Sequence, residues 1–575
     1  MAFIHRWTGW LVLFAAVSPA AAQLLPEQRR ADFEQLAAFV SRAYAPYEWK
    51  RERFGVDALR IGPWLDRVKN AQSDLQYFEI CSEYLASLRD LHTGFSLPSD
   101  FVAFIPIGVD LYDGKPLIEV IARALLPASQ YPFEVGDEVI SVDGESVEHW
   151  IARVAKLQSF ADERATRRWA ADRLFYRAQE AIPSAPMIGP TARIVVRRRL
   201  SGALETYDIP WTVSGTPYTV SGPIPFPQST AAAADATEPE PAPRRAVTAF
   251  ADRTPPHFKR VRGFGSIVPA YQLPQSFRVR QGALPGSLLL SGYYESGGYT
   301  IGYLRIPAFP TASFAQTTML RQIETELAFF RDNVDGLVID VMRNPGGSVC
   351  LTNEILRRLI PVPFRTLADE FRPTLEIVQL FRQDVEDAIL NGADPVTVAF
   401  LEGFLKDIET AYYEYRGRTG PLPACGLSLE LTPVPGYAGP LLVLIDEFSV
   451  SSGDAFPAVL QDSNRALMYG RTTPGGGGLS FFRPVGFYGE AAAAITITLG
   501  IRPRTTAIPG LPVTSTLENN GAWPDIEDDI MTVENLLTGG RPFVEGFTRA
   551  MIEHIERSRL PAAAAEPAPA APDQP

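Results

Sequence analysis

The stretch Pro440-Leu-Leu-Val-Leu-Ile-Asp-Glu-Phe-Ser-Val-Ser-Ser-Gly-Asp454 decides the fold. Its first six residues form a short apolar run, as expected of a strand buried on both faces. The polar turn that follows leads into Ala455-Phe-Pro-Ala-Val-Leu460, which reads as a helix. Pro457 has no N–H to donate, so that helix is expected to start late or to kink there. A strand that turns tightly into a helix aims backbone N–H groups at the turn. A serine in that turn can be a nucleophile whose neighbouring amides face a developing oxyanion. It can equally be a helix cap. Ser449, Ser451 and Ser452 all qualify, and the pattern by itself favours the cap while leaving the nucleophile open.

Working outward, the same strand-then-helix alternation continues. Ile301–Phe309 (IGYLRIPAF) reads as a strand, and 316–333 (QTTMLRQIETELAFFRDN) as an amphipathic helix with Leu320, Ile323, Leu327 and Phe330 on its apolar face. DGLVIDVM (335–342) is a buried strand that ends in Arg343-Asn-Pro-Gly-Gly-Ser-Val349. Gly346 and Gly347 can simply make a turn, or can let backbone N–H groups approach a reacting carbonyl unobstructed. A helical insertion is expected over about 373–416, then a strand at ALMYG (466–470), a glycine loop at RTTPGGGG (471–478) and a strand at AAITITLG (493–500). Alternating strands and helices predict an α/β domain with parallel pairing. The glycine loop lacks the Lys-Ser/Thr of a phosphate-binding loop, which argues against nucleotides.

A chain of 575 residues is too long for one core. With 46% hydrophobic and 21% charged residues it reads as globular, and a net charge of −13 argues against nucleic acid or an anionic membrane surface as partner. No internal stretch is long and apolar enough to span a bilayer. The N-terminus, MAFIHRWTGWLVLFAAVSPAAAQ, reads as a secretory signal over residues 1–22, cut before Gln23. The expectation is an exported protein, periplasmic or secreted. Export permits disulfides, but Cys81, Cys350 and Cys425 leave at least one cysteine unpaired within the chain. They show no metal-ligand spacing, so neither a structural zinc nor any cofactor is expected.

Residues 23–100 read as a helical N-terminal domain. FIPIGVDLYDGKPLIEVI reads as two strands about Asp113-Gly114, and FEVGDEVISVDGESVEHW places another strand between Gly136 and a turn at Asp143-Gly144. This Gly-Asp…Asp-Gly pattern resembles a PDZ domain, assigned to 101–215, which implies an open strand edge for an extended peptide. Residues 216–298 are expected to be a linker or inhibitory segment, with the Ala/Pro/Glu-rich QSTAAAADATEPEPAPRRA (228–246) at its centre. The catalytic domain is assigned to 299–550 and a disordered Ala/Pro tail to 551–575.

A nucleophilic serine needs a base. The lysines are Lys50, Lys69, Lys115, Lys156, Lys259 and Lys406, and none follows Ser452. Of the histidines, His5 leaves with the signal, His149 lies at the edge of the PDZ-like stretch, His257 sits among prolines and His554 is near the tail. His92, in Leu88-Arg-Asp-Leu-His-Thr-Gly94, follows a helix and could equally be a structural helix-end histidine.

IGYLRIPAF, GLVIDVMRNPGGS and LLVLIDEFSVSSGDAF…LQDSNRALMYGRTTPGGGG, with the PDZ-like region upstream, resemble the C-terminal processing (tail-specific) serine peptidase family. The resemblance spans about 90–150 and 300–530, and implies a crotonase-like (ClpP/crotonase) α/β catalytic domain. Common members use a Ser/Lys pair, with the lysine in a T-x-G-K-G loop after the serine. Here that loop holds Gly475–Gly478 and no lysine, so the Ser/Lys mechanism is not expected. The similarity is greater to a Ser/His/Glu branch, through Asp90-Leu-His-Thr-Gly94, through Ser451 two residues before Gly453-Asp454, and through Leu517-Glu-Asn-Asn-Gly521. It implies Ser451 as nucleophile, His92 as base and Glu518 as support for the histidine. Ser449 and Ser452 remain alternatives as nucleophile. The oxyanion hole would use Ser452 N–H and one amide of the Gly346-Gly347 pair.

The same branch implies polypeptide substrates, a homodimer and an internal segment removed on activation, placed here within 215–295 with a cut near Arg244-Arg245. A plain linker is the competing reading. Two other functions share the fold or the residues: a catalytically silent PDZ-containing peptide-binding protein, and an esterase or small-peptide hydrolase.

Overall fold

The computed structural model describes residues 23–218, 262–284, 286–426, 428–506 and 513–560. The expected signal and the Arg244-Arg245 cut lie outside the described residues.

The apolar runs that open the sequence reading form the centre of a seven-stranded sheet. Its order is Arg278–Gln281, Leu290–Ser296, Tyr299–Arg305, Gly336–Asp340, Leu441–Ile445, Leu467–Gly470 and Ile526–Glu527. From Tyr299–Arg305 onward every pairing is parallel, and the first two pairings are antiparallel. Side chains alternate across a strand, so one run feeds two cores. Leu337, Ile339, Leu441, Val443 and Ile445 join Ile323, Leu327 and Phe456 on one face. Val338, Leu442 and Leu444 join Phe543, Phe547 and Met551 on the other. Helices Ser313–Asn333, Val349–Leu359 and Ser452–Asp462 cover the first face, and Arg541–Arg559 the second. In Ser313–Asn333 the buried stripe is Met319, Ile323, Leu327 and Phe330, with Leu320 only half-buried at its edge.

The PDZ region is antiparallel. Ile107–Tyr112, Lys115–Ile121, Glu138–Val142, Thr191–Arg197 and Leu204–Pro210 pair in that order. Asp113-Gly114 (φ 48° and 76°) and Asp143-Gly144 (φ 53° and 82°) both take the positive φ that a tight two-residue hairpin turn needs. Helices Val147–Val154 and Glu163–Asp172 close over this sheet.

The N-terminal helices are Pro26–Ala43, Tyr47–Phe54, Gly62–Lys69 and Asp74–Ala86. The helical region ends at Ala86 rather than near 100. Beyond it Gly94–Ser96 pairs antiparallel with Ala491–Thr496, which carries His92 into the catalytic domain. Helices Leu375–Leu390 and Pro395–Tyr413 form the expected insertion, and Cys350–Cys425 is a disulfide while Cys81 is free and buried.

Three boundaries move. The catalytic sheet begins at Arg278, inside the span assigned to a linker, because two antiparallel strands extend its edge. The last helix runs to Arg559, past the expected tail start at 551, because Met551 and Ile555 are buried against the sheet. Helix Ser452–Asp462 starts directly after Ser451 and runs through Pro457, so it does not start late.

Candidate active site

The three serines separate by their hydroxyl partners. Ser449 Oγ donates to the Val341 carbonyl at 2.9 Å and lies 3.1 Å from Asp446 Oδ1, fully buried. Ser452 Oγ donates to the Gly347 carbonyl at 2.8 Å. Ser451 is half-buried, stands at the cap position of the helix, and makes no side-chain cap. Its backbone sits at φ 56°, ψ −123°, outside the regions that L-residues favour. Such a conformation costs about 1–3 kcal/mol and persists only where the surroundings over-determine it.

Those surroundings are the Arg343–Gly347 turn. Val450 N–H donates to the Asn344 carbonyl at 2.9 Å, and Arg343 N–H donates to Asp446 Oδ1 at 2.8 Å. Gly346 (φ 90°) and Gly453 make the approach feasible. A Cβ on Gly346 would fall 2.5 Å from Ser451 Cβ, and one on Gly453 would fall 2.6 Å from the Asn344 carbonyl oxygen. Gly346 N–H is engaged by Asn344 Oδ1 at 2.7 Å. Among the described residues, no acceptor meets the amides of Ser452 or Gly347.

His92 sits in a turn pinned on both sides. Asp90 Oδ1 accepts His92 N–H at 2.8 Å and Thr496 Oγ1 at 3.0 Å, and Thr93 Oγ1 pairs with Thr496 Oγ1 at 3.0 Å. His92 Nδ1 is buried with no partner among the described residues. Burial holds the imidazole pKa below its ordinary value, with Asp90 pulling it up and Lys50 pushing it further down. The ring is therefore neutral at pH 7, as a base must be.

Glu518 is fully buried. Its Oε2 accepts Gly477 N–H at 3.1 Å, and its Oε1 is bonded to Lys50 Nζ. Burial pushes its pKa up to about 8, with Lys50 the largest opposing pull. Sequence reasoning missed Lys50, which no motif or local spacing connects to Glu518, 468 residues away.

The glycine loop brings the three candidates together. Asp454, one turn after Ser451, accepts Gly476 N–H at 2.7 Å and is bonded to Thr473 Oγ1, while burial raises its pKa to about 7. A Cβ on Gly476 would lie 2.6 Å from Leu91 Cδ2, and one on Gly475 2.5 Å from Asn520 N. Asn519 N–H donates to the Gly475 carbonyl at 2.8 Å. Leu91, beside His92, and Val450, beside Ser451, share one core cluster with Phe448.

Part of the expected inhibitory segment also borders the site. Gly265 N–H donates to the Arg343 carbonyl at 2.9 Å, Arg305 donates to the Gly263 and Ser266 carbonyls at 2.9 and 2.8 Å, and Phe264 packs edge-on against Phe448.

The segments carrying a strained serine, a histidine and a buried carboxylate thus meet at one glycine loop. Residues 300–519 match the model of peptidase family S41, and residues 102–219 match a PDZ domain. The chain thus carries a peptidase family S41 domain and, before it, a PDZ domain. It is 24% identical over 560 residues to an uncharacterized protein of Chlamydia muridarum, covering 86% of this chain and 88% of that one. It is 25% identical over 539 residues to a protein of Chlamydia pneumoniae, covering 82% of each. The crystal structure of mature CPAF matches with a TM-score of 0.71 at 20% identity, over 93% of this chain and 99% of that one. Mature CPAF complexed with lactacystin matches with a TM-score of 0.70 at 21% identity, over 92% and 99%. Among the described residues, no helix is long and apolar enough to cross a membrane.

Proposed function

We propose that the protein is an exported serine endopeptidase that cleaves polypeptides through an acyl-enzyme. Ser451 Oγ attacks the scissile carbonyl, and His92 takes its proton and returns it to the leaving amine. The amides of Ser452 and Gly347 face the developing oxyanion. Glu518, in its ionised form, supports the imidazolium electrostatically. Water then cleaves the acyl-Ser451 ester with His92 again as base.

One observation carries the reading: of three adjacent serines, Ser451 alone combines a strained backbone with a hydroxyl that caps nothing, while its neighbours' hydroxyls are bonded to backbone carbonyls. A helix-capping role has no need of that strain. The test is labelling by a fluorophosphonate, alongside casein cleavage, in mature protein carrying Ser451→Ala or His92→Ala. Labelling and cleavage are expected to disappear in both, the loss of a triad member costing about 10⁴–10⁶ in rate. Labelling that survives Ser451→Ala refutes the assignment.

Docking of Gly263–Ser266 against Arg343 and Phe448 supports the further reading that this segment restrains the site until the chain is cut. Full activity of purified uncut protein counts against it. N-terminal sequencing of protein recovered outside the cytoplasm is expected to begin at Gln23.

A further inference from the structure

We propose that Lys50 is a positioning residue of this active site, tying Glu518 to the turn that carries His92. The inference rests on the Ser/His/Glu reading above.

Helix Tyr47–Phe54 delivers Lys50, whose side chain is 1% exposed. An ammonium has three protons and no acceptor. Lys50 Nζ meets three acceptors: Glu518 Oε1, Asn519 Oδ1 at 2.6 Å and the Arg89 carbonyl at 2.7 Å. Asn519 Nδ2 donates to the same Arg89 carbonyl at 3.0 Å. Both tethered backbones are left-handed, Arg89 at φ 52° and Asn519 at φ 60°. Arg89 directly precedes the Asp90 that fixes His92, and Asn519 directly follows Glu518. One buried cation therefore holds two strained turns 430 residues apart in the chain. With its protons so directed, Lys50 acts through Glu518 and Arg89 and is not itself the base.

The cation also sets the charge around His92. The titratable groups facing the site are Tyr44, Lys50, Asp90, His92 and Glu518. A buried carboxylate that loses its cation takes up a proton instead. Without Lys50, Glu518 protonates more readily, and the charge that disfavours His92 protonation is gone. Both effects move the acid limb of kcat/KM to higher pH.

The test uses the mature full chain, with wild-type labelling at Ser451 established first. Lys50→Met is expected to lower kcat/KM about 10- to 100-fold at pH 9, above the value of about 8 at which Glu518 ionises, the scale typical of partners that orient a functional histidine. KM should change little, and the acid limb should move to higher pH, since Lys50 pulls Glu518 down against its burial. Lys50→Arg, which keeps the charge, should recover part of the loss. In a Glu518→Gln background, Lys50→Met should cost less than about 3-fold, since residues acting as a unit are non-additive. Wild-type rate and acid limb in Lys50→Met overturn the proposal, as does a full additional loss in the Glu518→Gln background. Should Lys50→Met alone fail to fold, the uncharged Lys50→Met/Glu518→Gln pair is compared with Glu518→Gln, and a large deficit there overturns it equally. Absence of Ser451-dependent labelling in wild type strikes the serine-peptidase reading itself, whereas labelling indifferent to Lys50 strikes only this inference.

Discussion

Arg168→Met removes the cation from a buried ionic knot between the PDZ region and the turn that carries Ser451. Arg168 Nε and Nη2 donate to the two oxygens of Asp110 at 2.9 and 2.7 Å, and Nη1 donates to Glu447 Oε1 at 2.9 Å. Its guanidinium lies over the Phe448 ring at 4.7 Å, and Arg164 Nε lies 3.0 Å from Glu447. The side chains of Arg168, Asp110 and Glu447 are 0%, 1% and 5% exposed, so solvent screens little of this. Breaking a buried pair by deleting one partner costs about 3–5 kcal/mol. The electrostatics of Glu447 lead to a similar figure. Burial alone would raise Glu447, yet Arg168 and then Arg164 pull it from 4.5 to about 2, a shift worth about 3 kcal/mol. Because the folded value lies below the unfolded one, this stabilisation is complete above about pH 4.5 and is lost as pH falls towards 2. Without Arg168 the stranded Glu447 protonates more readily, so the penalty should shrink on acidification. Urea denaturation followed by tryptophan fluorescence, at pH 8 and pH 5, measures it. Arg168→Met/Asp110→Leu/Glu447→Gln should regain most of the loss. A wild-type midpoint for Arg168→Met at pH 8, or a penalty that grows towards acid, refutes the reasoning.

Gly346→Ala is expected to slow fluorophosphonate labelling about 100-fold, since a Cβ 2.5 Å from Ser451 Cβ must displace the nucleophile; wild-type labelling would show that the turn yields. Cys350→Ser/Cys425→Ser should lower stability by about 4 kcal/mol, the loop-closure value for a separation of 75 residues, read as a fall in the urea midpoint. Gly476→Lys is expected to abolish labelling rather than restore a lysine-based enzyme, which folded, labelled protein would contradict.

What was legible in the sequence follows from how local each signal is. PLLVLI and DGLVIDVM read as buried strands because parallel strands covered on both faces keep no polar alternation. Asp113-Gly114 and Asp143-Gly144 read as turns because few other pairs accept positive φ. Arg278–Gln281, at the sheet edge, and Leu290–Ser296, beside it, read as linker because the two strands carry mostly polar residues and a glycine. The C-terminal boundary was misplaced although Met551 and Ile555 lie at helical spacing, since the alanines and prolines beyond them dominated the composition. Lys50 was illegible because Tyr-Glu-Trp-Lys-Arg-Glu-Arg-Phe looks like a solvated charged helix, and its partner is brought to it only by the tertiary fold. Ser451 could be read from a motif, but the hydroxyl partners that distinguish it from Ser449 and Ser452 are three-dimensional facts. Likewise the engagement of Gly346 N–H by Asn344, which leaves Gly347 as the freer amide, has no sequence signature.

The missing lysine and the buried one are two sides of the same geometry. In the T-x-G-K-G pattern of the Ser/Lys branch, the lysine position corresponds to Gly476, counted from Thr473. In this chain Leu91 Cδ2 lies 2.6 Å from where a Cβ would start, so a side chain there would have to turn Leu91 aside, and Gly477 and Gly478 are hemmed by Leu517 and Thr498. Leu91 is the residue before His92, so a side chain at 476 would press on the turn that carries His92. Removing the side chain also bares the loop's amides, and two of them are used: Gly476 N–H binds Asp454 behind the nucleophile, and Gly477 N–H binds Glu518. Where the Ser/Lys pattern places a lysine, this loop supplies backbone donors to two buried acids. One of those acids, Glu518, still needs a counter-charge, and helix Tyr47–Phe54 delivers it from the other end of the chain. The departure from the commoner lysine pattern therefore leaves an ordered polar site, in which the proposed histidine base stands beside a carboxylate that a buried lysine holds.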